Sequence, residues 1–368
     1  MRLAPRTDRL VARSLEIIEE HQASTGAYVA CPTFPTYHYS WFRDGAFIAD
    51  AMSRHDRVRS ADAFHRWAAS IILGRRDRIT DLVARGRAGE PVGPGEHLHT
   101  RYTLDGHEGE GFWENFQLDG YGAWLWALRQ HHDRHGACPV GPEALALTVD
   151  YLATFWHEPS YDWWEEHLEH RHTSTLASIW AGLHACADWP QLDATTRRIA
   201  AATADRICEL VDTQAVVDTS LTKWLGSNAV DGSLIACLTP FEMYAPDHPV
   251  ARATVARVEA ELAPAGVYRY LDDVYYGGGQ WVLLAAFLGW HHARAGDRDR
   301  AEQLLDWIID QADTQGDLPE QVADDLLHPE HLEPWQDKWG PSARPLLWSH
   351  AMLLDLVHAL DTPEQDPA

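Results

Sequence analysis

Tyr161-Asp-Trp-Trp-Glu-Glu166 runs into a helix-like, mostly apolar segment, His167 to Ala187, and the same succession recurs along the chain. Two adjacent carboxylates beside two tryptophans form an arrangement that raises a carboxyl pKa, because the rings keep water from the charged form; Glu165 is on this ground a candidate general acid. A plainer reading puts Glu165 and Glu166 in the first turn of a helix, where the macrodipole favours negative charge. The rest of the sequence favours chemistry, since it repeats the architecture and supplies a second carboxylate.

Six segments carry one apolar stripe between charges: Leu10 to His21, Ala61 to Gly74, Pro142 to Trp156, Ala194 to Thr213, Pro249 to Leu262 and Arg298 to Asp313. Each is followed by a loop rich in aromatic, acidic and glycine residues, and then by a segment with little charge. Those apolar segments are Ala46 to Met52, Tyr121 to Leu128, the stretch ending at Ala187, Asp231 to Leu238, Val282 to Ala295 and Leu346 to Leu360. A helix apolar on nearly all sides must be buried, and a striped helix must cover it. The alternation therefore predicts an all-α (α/α)6 barrel, six inner helices wrapped by six outer ones, over one catalytic domain spanning residues 1–368. Arg75 to about Gly111 reads as a Gly/Pro/Arg-rich loop, and no strand-like alternation competes. Because all six special loops precede inner helices, they gather at one mouth.

Composition narrows the ligand. A formal charge of −25 disfavours nucleic acid and anionic membranes, and no apolar run approaches the ~18 residues of a membrane span. Seventeen tryptophans offer indole faces on which a sugar ring can lie, which points to carbohydrate. Met1 to Asp8 has no apolar run or cleavage site, so a cytoplasmic chain is expected. The five cysteines stand singly, which suits reduced thiols. The 22 histidines show no metal-ligand spacing, so neither metal nor cofactor is expected. Gly277-Gly-Gly279 follows no strand and reads as a tight approach at the mouth rather than a phosphate loop.

Tyr39-Ser-Trp-Phe-Arg-Asp44, Gln117-Leu-Asp119, Trp164-Glu-Glu166 with Thr173-Ser-Thr175, Tyr268-Arg269, Leu318-Pro-Glu-Gln321 and Trp348-Ser-His350 stand in an order that resembles glycoside hydrolase family 15. The resemblance covers roughly Tyr37 to Leu360 and is specific as a set. It implies an inverting exo-acting α-glucosidase with Glu165 as general acid and Glu320 as general base. It further implies that Glu166 contacts substrate, that Trp41, Arg43 and Asp44 grip the terminal glucose, and that Arg269 holds that sugar or its neighbour. Tyr39, Trp113, Gln117, Asp119, Trp164 and Trp335 complete the expected sugar-binding set.

The residues themselves are compatible with this. Glu165 and Glu320 belong to the third and sixth loops, opposite in a six-fold ring, and an inverting pair needs a gap of ~6.5–9.5 Å for water. Arg43 beside Asp44 is either a local salt bridge of little value or a donor and acceptor for sugar hydroxyls. Granular starch is not expected, because neither a β-sandwich nor a starch-binding domain is found. The long last loop, Gln321 to Arg344, with Trp335 and Trp339, departs from the family pattern on the reducing side. Isomaltose or a short isomalto-oligosaccharide is the favoured substrate of a monomer or small homo-oligomer. Trehalose, maltose and dextran stay open, as do a sugar epimerase or isomerase and a non-catalytic binding barrel.

Overall fold

A computed structural model describes residues 5–362, so the first residues of the stretch read for a secretory signal lie outside it. The inner helices are α2 (Phe42–Arg54), α5 (Asp119–His135), α7 (Thr173–Cys186), α9 (Leu234–Leu238), α11 (Val282–Arg294) and α14 (Leu347–Asp361). Each touches the next, and α14 touches α2, which closes the ring. The outer helices are α1 (Pro5–Glu20), α3 (Val58–Gly74), α6 (Pro142–Phe155), α8 (Ala194–Gln214), α10 (Pro249–Leu262) and α12 (Arg298–Gln311). The expected (α/α)6 barrel is present, and the physical reason is the predicted one. In α12 only Ala301, Leu304, Leu305, Ile308 and Ile309 are buried, one stripe at helical spacing. In α11 every residue from Val282 to His292 is buried.

Four departures from the sequence reading have local causes. The supposed loop after Arg75 contains a helix, α4 (Arg76–Ala88), whose Ile79, Leu82 and Val83 form a one-sided apolar stripe; it packs on α6. Within the long last loop lies a second extra helix, α13 (Leu332–Trp339). α9 is short because Thr239 is extended before Pro240, as the residue preceding a proline must tend to be. Finally, α7 begins at Thr173, so Tyr161 to His172 is loop and the first-turn reading of Glu165 and Glu166 fails.

Two-residue ladders lace the loops at the mouth, too short to leave an alternating pattern in sequence. β1 (Ser40–Trp41) pairs with β2 (Arg101–Tyr102), and β3 (Val216–Val217) with β4 (Ser220–Leu221). β5 (Val267–Tyr268), β6 (Gln280–Trp281) and β7 (Gln321–Val322) form an antiparallel sheet in that order, with Trp281 opposite Gln321. The glycine run has the expected role: Gly277 and Gly278 adopt φ of 81° and 69°, and a Cβ on Gly278 would lie 2.3 Å from the Asp273 carbonyl oxygen.

Close packing inside the ring depends on α5 and α7. A Cβ on Gly122 would sit 2.3 Å from the Ser178 carbonyl oxygen, and one on Gly182 would sit 2.4 Å from the Gly122 carbonyl oxygen. Backbone cannot yield as a side-chain tip can, so Gly122→Ala is expected to cost about 1–3 kcal/mol through separation of the two helices. Thermal unfolding would reveal it as a lowered Tm, and an unchanged Tm would mean that α5 and α7 can part freely.

Candidate active site

The mouth loops enclose a cavity of about 390 Å³ lined by Asp44, Glu165 and Glu320. Its floor is aromatic. Trp163 and Trp348 line it, 5.6 Å apart between ring centroids, and Phe47 packs beneath both, at 5.7 and 5.3 Å. Phe241 and Phe287 extend this plug below Phe47, so the cavity is blind.

Glu165 is set by a tight turn. Asp162 Oδ1 accepts the backbone N–H groups of Trp164 and Glu166, each at 2.9 Å, and the Asp162 carbonyl accepts the N–H of Glu165 at 3.0 Å. This holds Glu165 at φ 67°, a left-handed conformation that a non-glycine residue adopts at some cost. Its Oε1 accepts from Trp41 Nε1 at 2.7 Å and from Gln117 Nε2 at 3.1 Å.

Glu320 enters from the opposite arc, before α14. Its N–H donates to the Ala343 carbonyl at 2.9 Å, and its own carbonyl accepts from Val282 N–H at 3.3 Å. The side chain is buried beside Tyr37 and Tyr275, whose hydroxyls are hydrogen-bonded at 2.9 Å. Burial pushes its carboxyl up to about 8, against the lowering effects of Tyr37 and Arg269. The drying expected at Glu165 therefore falls on Glu320. Trp163 is part of the floor, Trp164 turns its indole N–H to Asp231 at 3.0 Å, and Glu165 is only half-buried.

The polar grip surrounds this pair. Arg43 Nη1 donates to Asp119 Oδ2 at 2.9 Å and to Gln117 Oε1 at 2.8 Å, whereas its Nε is 3.7 Å from Asp44. Asp44 is thus not engaged in a tight local salt bridge. Burial pushes its carboxyl up to about 7, with Arg43 opposing and Glu165 and Asp119 reinforcing. Arg269 is clamped by Asp273, at 2.7 Å from Nε, and lies 3.6 Å from Glu166, which also accepts the Tyr270 hydroxyl.

Of the site residues named from sequence, the structure brings Trp41, Arg43, Asp44, Trp113, Trp164, Glu165, Glu166, Arg269, Glu320 and Trp335 together around the cavity. Three expected binding residues do not line it. Tyr39 lies outside it, 4.1 Å from the Arg101 guanidinium, which is also 3.3 Å from the Trp113 ring. Gln117 and Asp119 are buried behind the wall, where Gln117 bonds to Glu165 and both bond to Arg43. Conversely, Tyr37 and Trp281 line the cavity and were not singled out, while Trp339, noted in the long last loop, lines it as well. Trp281 stands as Trp41 does, at the end of a two-residue strand and at the N-cap position of the following inner helix, a correspondence that only the fold reveals.

Opposed carboxylates, arginine forks and indole plates in a blind cavity suit acid–base cleavage at the end of a hydroxyl-rich molecule. Comparison with known proteins agrees. The chain is 48% identical over 363 residues to an isomaltose glucohydrolase from Kribbella flavida, covering 96% of this chain and 93% of that protein. A solved glycosidase variant in complex with glucose is 47% identical, with a TM-score of 0.91 over 96% of this chain and 97% of that one. A glucoamylase from Saccharomycopsis fibuligera, 15% identical, shares the fold at a TM-score of 0.72 over 96% of this chain and 94% of its own. The family model described as Glycosyl hydrolases family 15 matches residues 6–318, and the chain belongs to that family, whose members hydrolyse glycosides with inversion through an acid–base carboxylate pair.

Proposed function

We propose that the protein releases β-glucose from the non-reducing end of isomaltose and short isomalto-oligosaccharides. The observation that carries this is the blind cavity with Glu165 and Glu320 on opposite arcs, since a closed floor admits a chain end and no chain middle. The kinship with an isomaltose glucohydrolase supports the linkage. Glu165 protonates the glycosidic oxygen as its bond to the anomeric carbon breaks. Glu320 takes a proton from a water molecule that attacks that carbon from the other face, so the configuration inverts. Asp44, Arg43 and Arg269 address the hydroxyls of the glucose in the cavity. Trp335 and Trp339, carried by α13, offer a wall for the departing sugar.

Proton NMR of isomaltose turnover should show the β anomer first, with α-glucose appearing only through mutarotation. Release of α-glucose first would sink the inverting assignment. Running trehalose, maltose and dextran alongside tests the linkage: faster turnover of any of these than of isomaltose would replace the substrate while leaving the reaction class intact. A substrate converted without change in mass would point instead to an epimerase or isomerase.

A further inference from the structure

A second cavity lies at the opposite end of the barrel, bordered by residues from the C-terminal halves of α2, α5, α7 and α11. Its volume is about 660 Å³, larger than the catalytic cavity and within the range of small-molecule sites. The aromatic plug separates the two. Phe241 packs on Phe47 and Trp163 from below, and Phe241 and Trp126 line the second cavity.

Three tryptophans border this space: Trp126 and Trp290, both buried, with the Arg54 guanidinium 5.1 Å over the Trp290 ring, and Trp180. Trp180 is half-exposed and braced in parallel by the His184 ring, with centroids 5.0 Å apart and planes at 12°. The charged side chains around the indoles are already matched. Arg54 pairs with Asp355 at 2.8 Å and Asp50 at 3.0 Å, Arg129 with Asp133 at 2.9 Å and Asp188 at 2.5 Å, and Arg294 with Glu242 at 2.5 Å. An anion or a cation would meet no unmatched opposite charge here, whereas a neutral hydroxyl-bearing ligand needs only the N–H groups and carboxylate lone pairs that the ion pairs leave free. Flat apolar plates among matched arginine–carboxylate pairs are also what the catalytic cavity presents, in Trp41 and Trp164 with Arg43–Asp119 and Arg269–Asp273.

We propose that this far cavity is a second binding site for a neutral mono- or disaccharide such as glucose. The site is separate from the catalytic pocket, and its existence does not depend on the reaction proposed above. The test uses the full chain labelled with 5-fluorotryptophan and ¹⁹F NMR, with signals assigned through Trp126→Phe, Trp180→Phe and Trp290→Phe. Glucose should shift these three signals saturably, along a curve distinct from that of Trp41 and Trp164, while inorganic phosphate leaves them in place. Trp180→Ala should weaken this curve about tenfold or more and leave the hydrolysis rate unchanged. Glu242→Gln, at an exposed position, serves as a second variant that keeps the fold and should also weaken it. The proposal is overturned if the three signals stay fixed while those of the catalytic pocket saturate, if they follow phosphate, or if neither variant alters the curve. Loss of the hydrolytic reading alone would leave these shifts untouched.

Discussion

Exchanging Glu320 for glutamine should slow isomaltose hydrolysis about a thousandfold or more, while making the protein more stable than the native chain at pH 8. The rate falls because no base remains to take the proton of the attacking water, and such bases contribute roughly 10²–10⁴. The stability gain follows from burial. The carboxyl is pushed up to about 8 in the fold against an ordinary 4.5, so the folded chain holds its proton more tightly than the unfolded chain does. The native protein consequently has its full stability from this group below pH 4.5 and loses it as pH rises to 8. Glutamine carries no charge to bury, so the stability difference between variant and native chain should widen across that window, toward roughly 2–4 kcal/mol, and show as a growing difference in Tm. A constant difference between pH 5 and 8 would mean that Glu320 is well solvated. In the native enzyme the same burial places the ascending limb of kcat/KM above the ordinary carboxylate range, and that limb should vanish from whatever activity Glu320→Gln retains. Glu165→Gln should instead keep more of its rate on a glucosyl fluoride than on isomaltose, because fluoride departs with less protonation. If both substrates slow equally, while Glu114→Gln or Glu166→Gln discriminates between them, the acid has been misassigned.

Arg43→Ala should be the most disruptive change in the sugar grip, in two ways at once. Asp119 would be left fully buried without its 2.9 Å partner, and breaking a buried pair from one side costs about 3–5 kcal/mol. At the same time the cavity would lose a donor, so kcat/KM should fall a hundredfold or more, ~3 kcal/mol in the transition state. Asp44→Asn separates the two effects. Its carboxyl faces the cavity, makes no close ion pair and is pushed up to about 7 by burial, so the amide should keep Tm in acid and raise it toward neutral pH, while kcat/KM again falls about a hundredfold. Normal kinetics for Asp44→Asn would remove it from the grip, and an unchanged Tm for Arg43→Ala would show that water reaches Asp119.

What could be read from sequence was what short-range periodicity encodes. The stripes of α1, α3 and α12, the apolar run that opens α11 and the sparsely charged Ala46 to Met52 of α2 announce their layers, because burial repeats within each helix. The loop order then brings Glu165 and Glu320 to one mouth. α4 escaped because Ile79, Leu82 and Val83 are surrounded by arginines whose partners, such as Glu96 and Glu108, are far along the chain. The start of α7 was misplaced since Tyr161 to His172 is held by long-range contacts, among them the pairing of His172 with Trp224 and the Tyr270 bond to Glu166. The preference for Tyr39 over Tyr37 has the same origin: Arg101, sixty residues away in sequence, takes Tyr39 out of the cavity. Likewise, adjacency to two tryptophans says nothing about which carboxyl is dried, because the groups that surround Glu320 are Asp44 on α2 and the loop residues Tyr37, Arg269 and Tyr275, all distant in sequence.

The stack of Trp163, Trp348 and Phe47 under the catalytic cavity also fixes the traffic of a turnover. Since nothing passes through the barrel, whatever went in must come out by the same door, last in and first out. The shortened remainder of a chain has to depart before the glucose trapped beneath it can escape, so two cuts cannot follow one encounter. A trisaccharide digest would therefore spill free disaccharide into solution before consuming it, and accumulated glucose would compete with fresh substrate for the one way in.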